Sequence, residues 1–156
     1  MVAVDGQQQA RSQVRARLPE LATADADQWR SLLRARADVV RCDAHPAAVS
    51  RLSSRTDDVA AGGPAHAASR GIDLVVLDAP PELYVRRDRW QDLSEQLLLR
   101  PAHGAWNLVV RLPPLWPFNG AAGAAVVAAD LLDNAEPRAV AVGARMLREL
   151  AKEPAR

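Results

Sequence analysis

Short segments with strand character alternate along this chain with segments whose apolar residues recur at helical spacing. Strand-like runs of aliphatic and β-branched residues occupy 38–42, 56–63, 72–77, 82–85 and 107–112. Helical spacing of apolar residues occurs at 25–36, 46–52, 64–70, 88–97, 122–132 and from 137 onward. Strands that alternate with helices and then give way to helices favour one layered domain. The sequence therefore predicts an α/β or α+β fold: one small mixed sheet with helices packed on it and a helical C-terminus.

Polar and punctuating residues predict where several helices begin and end. Asp25 is followed three residues later by Gln28, which is the spacing of a capping box, and Asp88 stands in the same relation to Gln91. Gly71 follows an alanine-rich helical segment, where glycine provides a left-handed cap. These signals predict helices that start at 25 and 88 and one that stops at 71.

The 156 residues, 49% apolar and 25% charged, suit a single globular domain. We expect this domain to span 25–152, after a flexible or partly helical segment at 1–24. The first residues, MVAVDGQQQARSQ, have no apolar run of the kind found in a secretory signal, and Asp5 comes early. The small apolar run at 121–129 is far shorter than the roughly 20 residues that span a bilayer. We expect a cytoplasmic protein that does not contact the membrane.

The charges are nearly balanced, with 20 basic and 19 acidic side chains and a formal net charge of +1. A general nucleic-acid or anionic-membrane binder uses a long-range positive field, which this balance removes. The arginines are dispersed and interleaved with acids, which is typical of a solvated surface. The composition thus argues against binding to nucleic acid by charge alone.

Residue types that hold metals or act as nucleophiles are sparse. Cys42 is the single cysteine, and His45 follows it three residues later, which is half of a possible zinc clamp. The other half is missing, so a buried structural cysteine is the simpler interpretation. No serine stands in a G-x-S-x-G elbow. The sequence predicts no catalytic residue, no metal ligand and no cofactor.

A glycine pair and several acids are the remaining candidates for chemistry. Gly62 and Gly63 precede a helix and could cradle a phosphate, although turn glycines are the simpler interpretation. Two acids two residues apart on one strand hold magnesium for nucleotidyl transfer, because alternate side chains share a face. Here Glu82 is followed at that spacing by Tyr84, and Asp73 lies in an earlier strand-like run. We expect this pattern to be inert, with a magnesium site at Asp73 and Glu82 as the alternative.

Aromatic residues in a proline-rich loop are candidates for contact with a partner. Trp116 and Phe118 lie in PPLWPF, where a rigid extended segment could present them, or the loop could fold back over the core. Arg30 and Arg34 are expected on the outward face of the 25–36 helix. The candidate interaction residues are Trp116, Phe118, Arg111, Arg30 and Arg34.

Four segments in the last 90 residues together resemble a known family. They are GGPAHAASRG, ELYV, NLVVRLPPLWPF and the closing AVVAADLLDNAEPRAVAVGARMLREL. Their order resembles the C-terminal portion of AbiEi-type antitoxins and transcriptional regulators of bacterial type IV toxin–antitoxin systems. The resemblance implies a nucleotidyltransferase-like sheet without catalysis. The family usually places a winged helix-turn-helix before this region, and the first 60 residues here do not resemble one, so DNA binding would need a separate reader module.

Three functions follow as hypotheses from these observations. The first is a non-catalytic regulatory domain of antitoxin type that acts through protein–protein contact, with a cognate toxin or a second copy of itself as partner. The second is a divergent nucleotidyltransferase-like enzyme that binds nucleotide and magnesium through Asp73 and Glu82. The third is a transcriptional regulator that binds DNA through the arginines of the 25–36 helix.

Overall fold

The computed structural model describes residues 19–74, 79–116, 118 and 123–152. Within this part of the chain, five strands form one sheet: β1 (Asp38–Asp43), β2 (Val59–Gly62), β3 (Glu82–Val85), β4 (Arg100–Pro101) and β5 (Leu108–Leu112). The helices are α1 (Ala26–Leu33), α2 (Pro46–Ser53), α3 (Gly63–Ser69), α4 (Arg87–Gln96), α5 (Ala124–Leu132) and α6 (Pro137–Lys152). No helix among the described residues has the length and apolar character needed to cross a bilayer.

The sheet is mixed, with strand order β2-β3-β5-β1-β4. The central pair, β3 and β5, is parallel, whereas β2–β3, β5–β1 and β1–β4 are antiparallel. Helices pack on this sheet and close the chain, so the predicted fold class is confirmed. The predicted strand at 72–77 is not found where it can be checked, because 72–74 form no strand and 75–77 lie outside the described residues.

Alternation along the two central strands produces a core on each side of the sheet. Leu83 and Val85 of β3 and Leu108 and Val110 of β5 belong to the first core, with residues of α2 and α4. Tyr84 points to the opposite side, where it joins residues of α3, α5 and α6. This second side also carries Glu82 and Arg111, and it positions the candidate site.

Two of the predicted helix signals are confirmed and one is wrong. Asp25 and Gln28 form a complete capping box before α1, and Gly71 has a left-handed φ of +82° just after α3. Asp88, however, does not cap α4: that helix already begins at Arg87, and Asp88 forms an ion pair with Arg86 at 3.2 Å. An acid one residue inside the helix still favours its N-terminus through the helix dipole.

The first strand is more exposed than its apolar sequence predicts. Cys42 is fully buried, which confirms the structural cysteine, but Val39 is 44% exposed and Arg41 and Asp43 are exposed as well. These three residues alternate with Val40 and Cys42 and therefore face the other side of the sheet. One face of β1 is thus left open, and Arg41 lies there over the ring of Trp106.

Candidate functional site

Six polar side chains from separate parts of the chain meet on the second side of the sheet. This polar cluster consists of Arg36, Glu82, Tyr84, Arg111, Asp130 and Asp133. The parallel register sets Tyr84 of β3 beside Arg111 of β5, and Glu82 is two residues before Tyr84 on the same face. Helix α5 lies above them and supplies Asp130, while Asp133 follows its last turn. The connection between α1 and β1 supplies Arg36.

Asp130 is the centre of the polar cluster and is 1% exposed. One carboxylate oxygen accepts hydrogen bonds from the Tyr84 hydroxyl at 2.5 Å and from the Arg36 guanidinium at 3.0 Å. The other oxygen accepts from the backbone N–H of Gly63 at 2.9 Å. Buried charges persist when they are paired and hydrogen-bonded in this way, so both oxygens of Asp130 are occupied by the protein itself.

The two arginines connect the acids into one network. Arg111 is 5% exposed and contacts Glu82 at 2.9 Å and Asp133 at 3.1 Å, with Asp130 at 3.5 Å. Arg36 contacts Asp133 at 2.6 Å as well as Asp130. Asp133 is the member most open to solvent, with 38% of its side chain exposed. The network therefore joins β3, β5, α5 and the α1–β1 connection through charge-assisted hydrogen bonds.

Burial and neighbouring charges shift the pKa values of several members of the polar cluster. Burial raises the pKa of Tyr84, and the charge of Asp130 raises it further, so the hydroxyl stays a donor to Asp130. Burial also raises the pKa of Glu82 above its ordinary 4.5, against the opposing effect of Arg111. The acids Asp130 and Glu82 raise the pKa of Arg111 despite its burial. Tyr84 is consequently a fixed hydrogen-bond donor and not a base.

The glycine pair that could have cradled a phosphate is filled from within. Gly63 has φ +72°, a conformation that favours glycine, and its N–H is bound to Asp130. A Cβ at Gly63 would lie 2.7 Å from the Glu82 carboxyl carbon, and one at Gly62 would lie 2.8 Å from the Asp130 carboxylate. The pair therefore lets the β2–α3 turn approach the polar cluster closely, as turn glycines do.

The two acids of the alternative magnesium site belong to different ion pairs. Asp73 is an exposed residue that pairs with Arg138 at 2.6 Å, whereas Glu82 pairs with Arg111 inside the cluster. Over residues 19–74, 79–116, 118 and 123–152, no group of three or more His, Cys, Asp or Glu side chains could hold a metal ion. The ring Nδ1 of His45 caps α2 by accepting from the Ala47 N–H.

The structure places the five candidate interaction residues in different surroundings. Phe118 is buried, with its ring 5.0 Å from that of Tyr84 and 4.9 Å from that of Trp116, which is itself half-buried. The proline-rich loop thus brings both aromatic rings onto the core, because burying them removes more apolar area from water than presenting them. Arg111 is also not a surface residue, since the cluster holds it inside.

The other two candidates differ from each other. Arg30 is half-buried and donates to the Leu132 carbonyl at 2.8 Å, and it also pairs with Asp27 at 3.0 Å. It therefore helps to join α1 to α5 instead of standing free on an outward face. Arg34, at the end of α1, is exposed as predicted.

Sequence reasoning missed Asp130, Asp133 and Arg36 entirely. One signal was present: Asp130 is the single charged residue in AVVAADLL, a run otherwise apolar on all sides of the helix. A charge inside such a run must be buried with its helix, and a buried charge needs a partner. The identity of the partners had no local signal, because they are 46 and 94 residues away along the chain.

Comparison of the chain with protein-family models, with curated proteins and with solved structures found no significant match. The AbiEi resemblance therefore stays a prediction, and the functional argument depends on the residues themselves.

Proposed function

We propose that this chain is a non-catalytic regulatory domain, similar to the C-terminal part of AbiEi-type antitoxins and transcriptional regulators, that acts through protein–protein contact. The observation that carries the proposal is the state of Asp130. Both of its oxygens accept hydrogen bonds, from Tyr84 and Arg36 on one and from the Gly63 N–H on the other, and the residue is 1% exposed. A carboxylate that binds metal or substrate needs an open coordination position, and Asp130 has none.

Tyr84 supports the same conclusion. A nucleotidyl-transfer site on β3 would need a second carboxylate at this position, and the tyrosine hydroxyl instead donates a hydrogen bond to Asp130. The polar cluster therefore connects the β2–α3 turn, the sheet and α5. Its chemistry is that of a structural network, which favours the regulatory hypothesis over the nucleotidyltransferase alternative.

The choice of partner depends on which basic side chains of α1 remain exposed. We propose a cognate toxin protein or a second copy of this chain as the bound partner, and DNA only where a separate reader module supplies the contact. Arg34, at the end of α1, remains exposed, while Arg30 is engaged with α5. That leaves the helix with little of the basic surface that direct DNA binding requires.

Co-expression with the protein encoded beside this chain tests the proposal. We expect the two to co-elute in size-exclusion chromatography at micromolar concentration, and their clean separation, with this chain eluting as a monomer, would contradict the proposal. Calorimetry with nucleotide and Mg²⁺ addresses the enzyme alternative, with Glu82→Gln as the control. Binding heat that is present in the wild type and lost in Glu82→Gln would support the alternative instead.

A further inference from the structure

The solvent-facing side of the last helix carries a stripe of basic residues. Positions spaced by three and four residues along α6 define this basic stripe: the exposed Arg138, Arg145 and Lys152, with Ala141 between the first two, and the half-buried Arg148. Residues at this spacing lie on one face of a helix. The opposite face of α6 is buried against α1 and α5 through small residues and Leu147. The basic stripe is therefore held rigidly by a helix whose other face belongs to the core.

Positive charge is concentrated on this one helix. Four basic residues and one acid, Glu149, lie on α6, although the whole chain has a net charge of only +1. Arg138 pairs with Asp73, Lys152 pairs with Glu149, and Arg148 donates to the Ala24 carbonyl at 3.4 Å, whereas no ion pair among the described residues involves Arg145. The remainder of the chain is thus net acidic, and α6 is the place where a negative partner is attracted.

A groove lined by both charged and apolar side chains lies beside the basic stripe. Ile72 and Asp73, after α3, and the α6 residues Arg138, Ala141, Val142 and Arg145 enclose about 370 Å³. Ile72 and Val142 also pack against the core of the second side, so the floor of the groove is a firm apolar surface. Arg138 and Arg145 line the groove from α6, and Asp73, with 90% of its side chain exposed, is joined to Arg138 by the 2.6 Å ion pair.

We propose that this groove and the basic stripe bind an acidic amphipathic segment of a partner protein. Aliphatic side chains of the segment enter the groove over Ile72 and Val142, and its carboxylates pair with Arg145 and Arg138. The inference depends on the proposed function, since it names the surface through which the protein–protein contact is made. Helix-in-groove recognition combines an apolar floor with a charged rim in this way.

The groove favours a protein segment over nucleic acid. A phosphate backbone has no aliphatic side chain to place on the apolar floor. The exposed carboxylate of Asp73 repels phosphate, whereas a peptide with mixed side chains can place a polar or basic group there. Outside α6 the 16 basic residues are outnumbered by 18 acidic ones, so no net positive charge continues the stripe along a nucleic-acid backbone.

Fluorescence anisotropy with a synthetic helical peptide tests the inference. The probe is a peptide of about 18 residues, several turns of helix, with Leu on one face and Glu on the flanks. The matched probe has Lys in place of every Glu. We expect the acidic peptide alone to bind, and its affinity to fall as salt is raised, because exposed charges are screened over about 10 Å at 0.1 M salt.

Charge reversal on α6 locates the binding surface. We expect Arg138→Glu with Arg145→Glu to weaken binding of the acidic peptide by about 10-fold or more, and Arg145→Gln alone by about 3-fold. Arg145→Gln breaks no ion pair among the described residues, so it leaves the fold intact. The control, Arg51→Glu with Arg55→Glu, makes the same change in net charge beside α2, on the other side of the sheet, and leaves binding unchanged.

Three results would overturn the inference: no binding of the acidic peptide at low salt, equal loss in the control variant, or tighter binding of a short DNA duplex than of the peptide. The complex with the neighbouring protein separates this inference from the proposed function. If that complex forms and survives Arg138→Glu with Arg145→Glu, the α6 surface is the wrong one and the proposed function stands. If no such complex forms with the wild type and the chain is also a monomer, the proposed function fails as well.

Discussion

Asp130 gives the sharpest quantitative test of the buried polar cluster. Replacing it with alanine removes one acid from a closed network and leaves the Gly63 N–H, the Tyr84 hydroxyl and Arg36 without their shared acceptor. Breaking a buried ion pair by removing one partner costs about 3–5 kcal/mol. The whole domain is stable by about 5–15 kcal/mol, so Asp130→Ala is expected to remove a large share of that free energy.

Two companion variants separate the causes. Asp130→Asn keeps the shape, but its NH₂ would face a donor in either orientation, because donors approach both carboxylate oxygens. We expect it to lose nearly as much stability as alanine. Asp133→Ala removes an acid that is 38% exposed, where water replaces the lost contacts, and should cost only about 1 kcal/mol.

Urea denaturation and thermal melting measure these effects. For a chain of this length each kcal/mol lowers Tm by about 2–4 °C, so Asp130→Ala should melt about 6–20 °C below the wild type. A loss under about 1 kcal/mol for Asp130→Ala would refute the reasoning. An Asp130→Asn variant that is as stable as the wild type, or more stable, would also refute it. That outcome would mean that excess negative charge, three acids against two arginines, outweighs the hydrogen bonds.

Three further predictions test the packing and the titration of the fold. Gly143→Ala should lower the free energy of unfolding in urea by about 1–3 kcal/mol, because the added Cβ would lie 2.6 Å from the Ala128 carbonyl oxygen at the α5–α6 contact. In the control, Gly104→Ala, the added Cβ meets nothing within 4 Å, and the stability should stay near that of the wild type. The raised pKa of Glu82 contributes stability that is complete below pH 4.5 and is lost as pH rises through the folded pKa. Glu82→Gln should flatten this part of the pH–stability curve, and an unchanged slope would contradict the assignment. Phe118→Ala should cost about 3 kcal/mol or more in the same urea assay, whereas Leu115→Ala, 72% exposed, should cost almost nothing; equal losses would show that the loop does not pack on the core.

Local features of this protein follow from its sequence because the forces that set them act over a few residues. The capping box of Asp25 and Gln28 needs only neighbours three positions apart, and the left-handed turn at Gly71 needs only the absence of a Cβ. The aliphatic and β-branched run LVVRL likewise favours a strand, whose successive side chains point to opposite faces, and all five residues are buried. The mixed sheet with helices and a helical end could therefore be predicted.

Features that depend on strand order had no such local cause. The sequence makes Arg111 a candidate interaction residue, and only the parallel pairing of β3 with β5 sets it beside Tyr84 and Glu82. The position of Trp116 and Phe118 was equally open, since a proline-rich loop is extended in both interpretations and the neighbouring ring of Tyr84 decides between them.

Asp130 shows most clearly which features follow from the sequence and which depend on the tertiary structure. Its place in an apolar helix already required a buried charge with partners, because an unpaired charge inside a protein is too costly to persist. The partners themselves, Tyr84 and Arg36, lie 46 and 94 residues away, and only the packing of α5 over the sheet brings them together. Hydrophobic pattern determines which face of an element is buried, whereas the tertiary arrangement decides which buried charges meet.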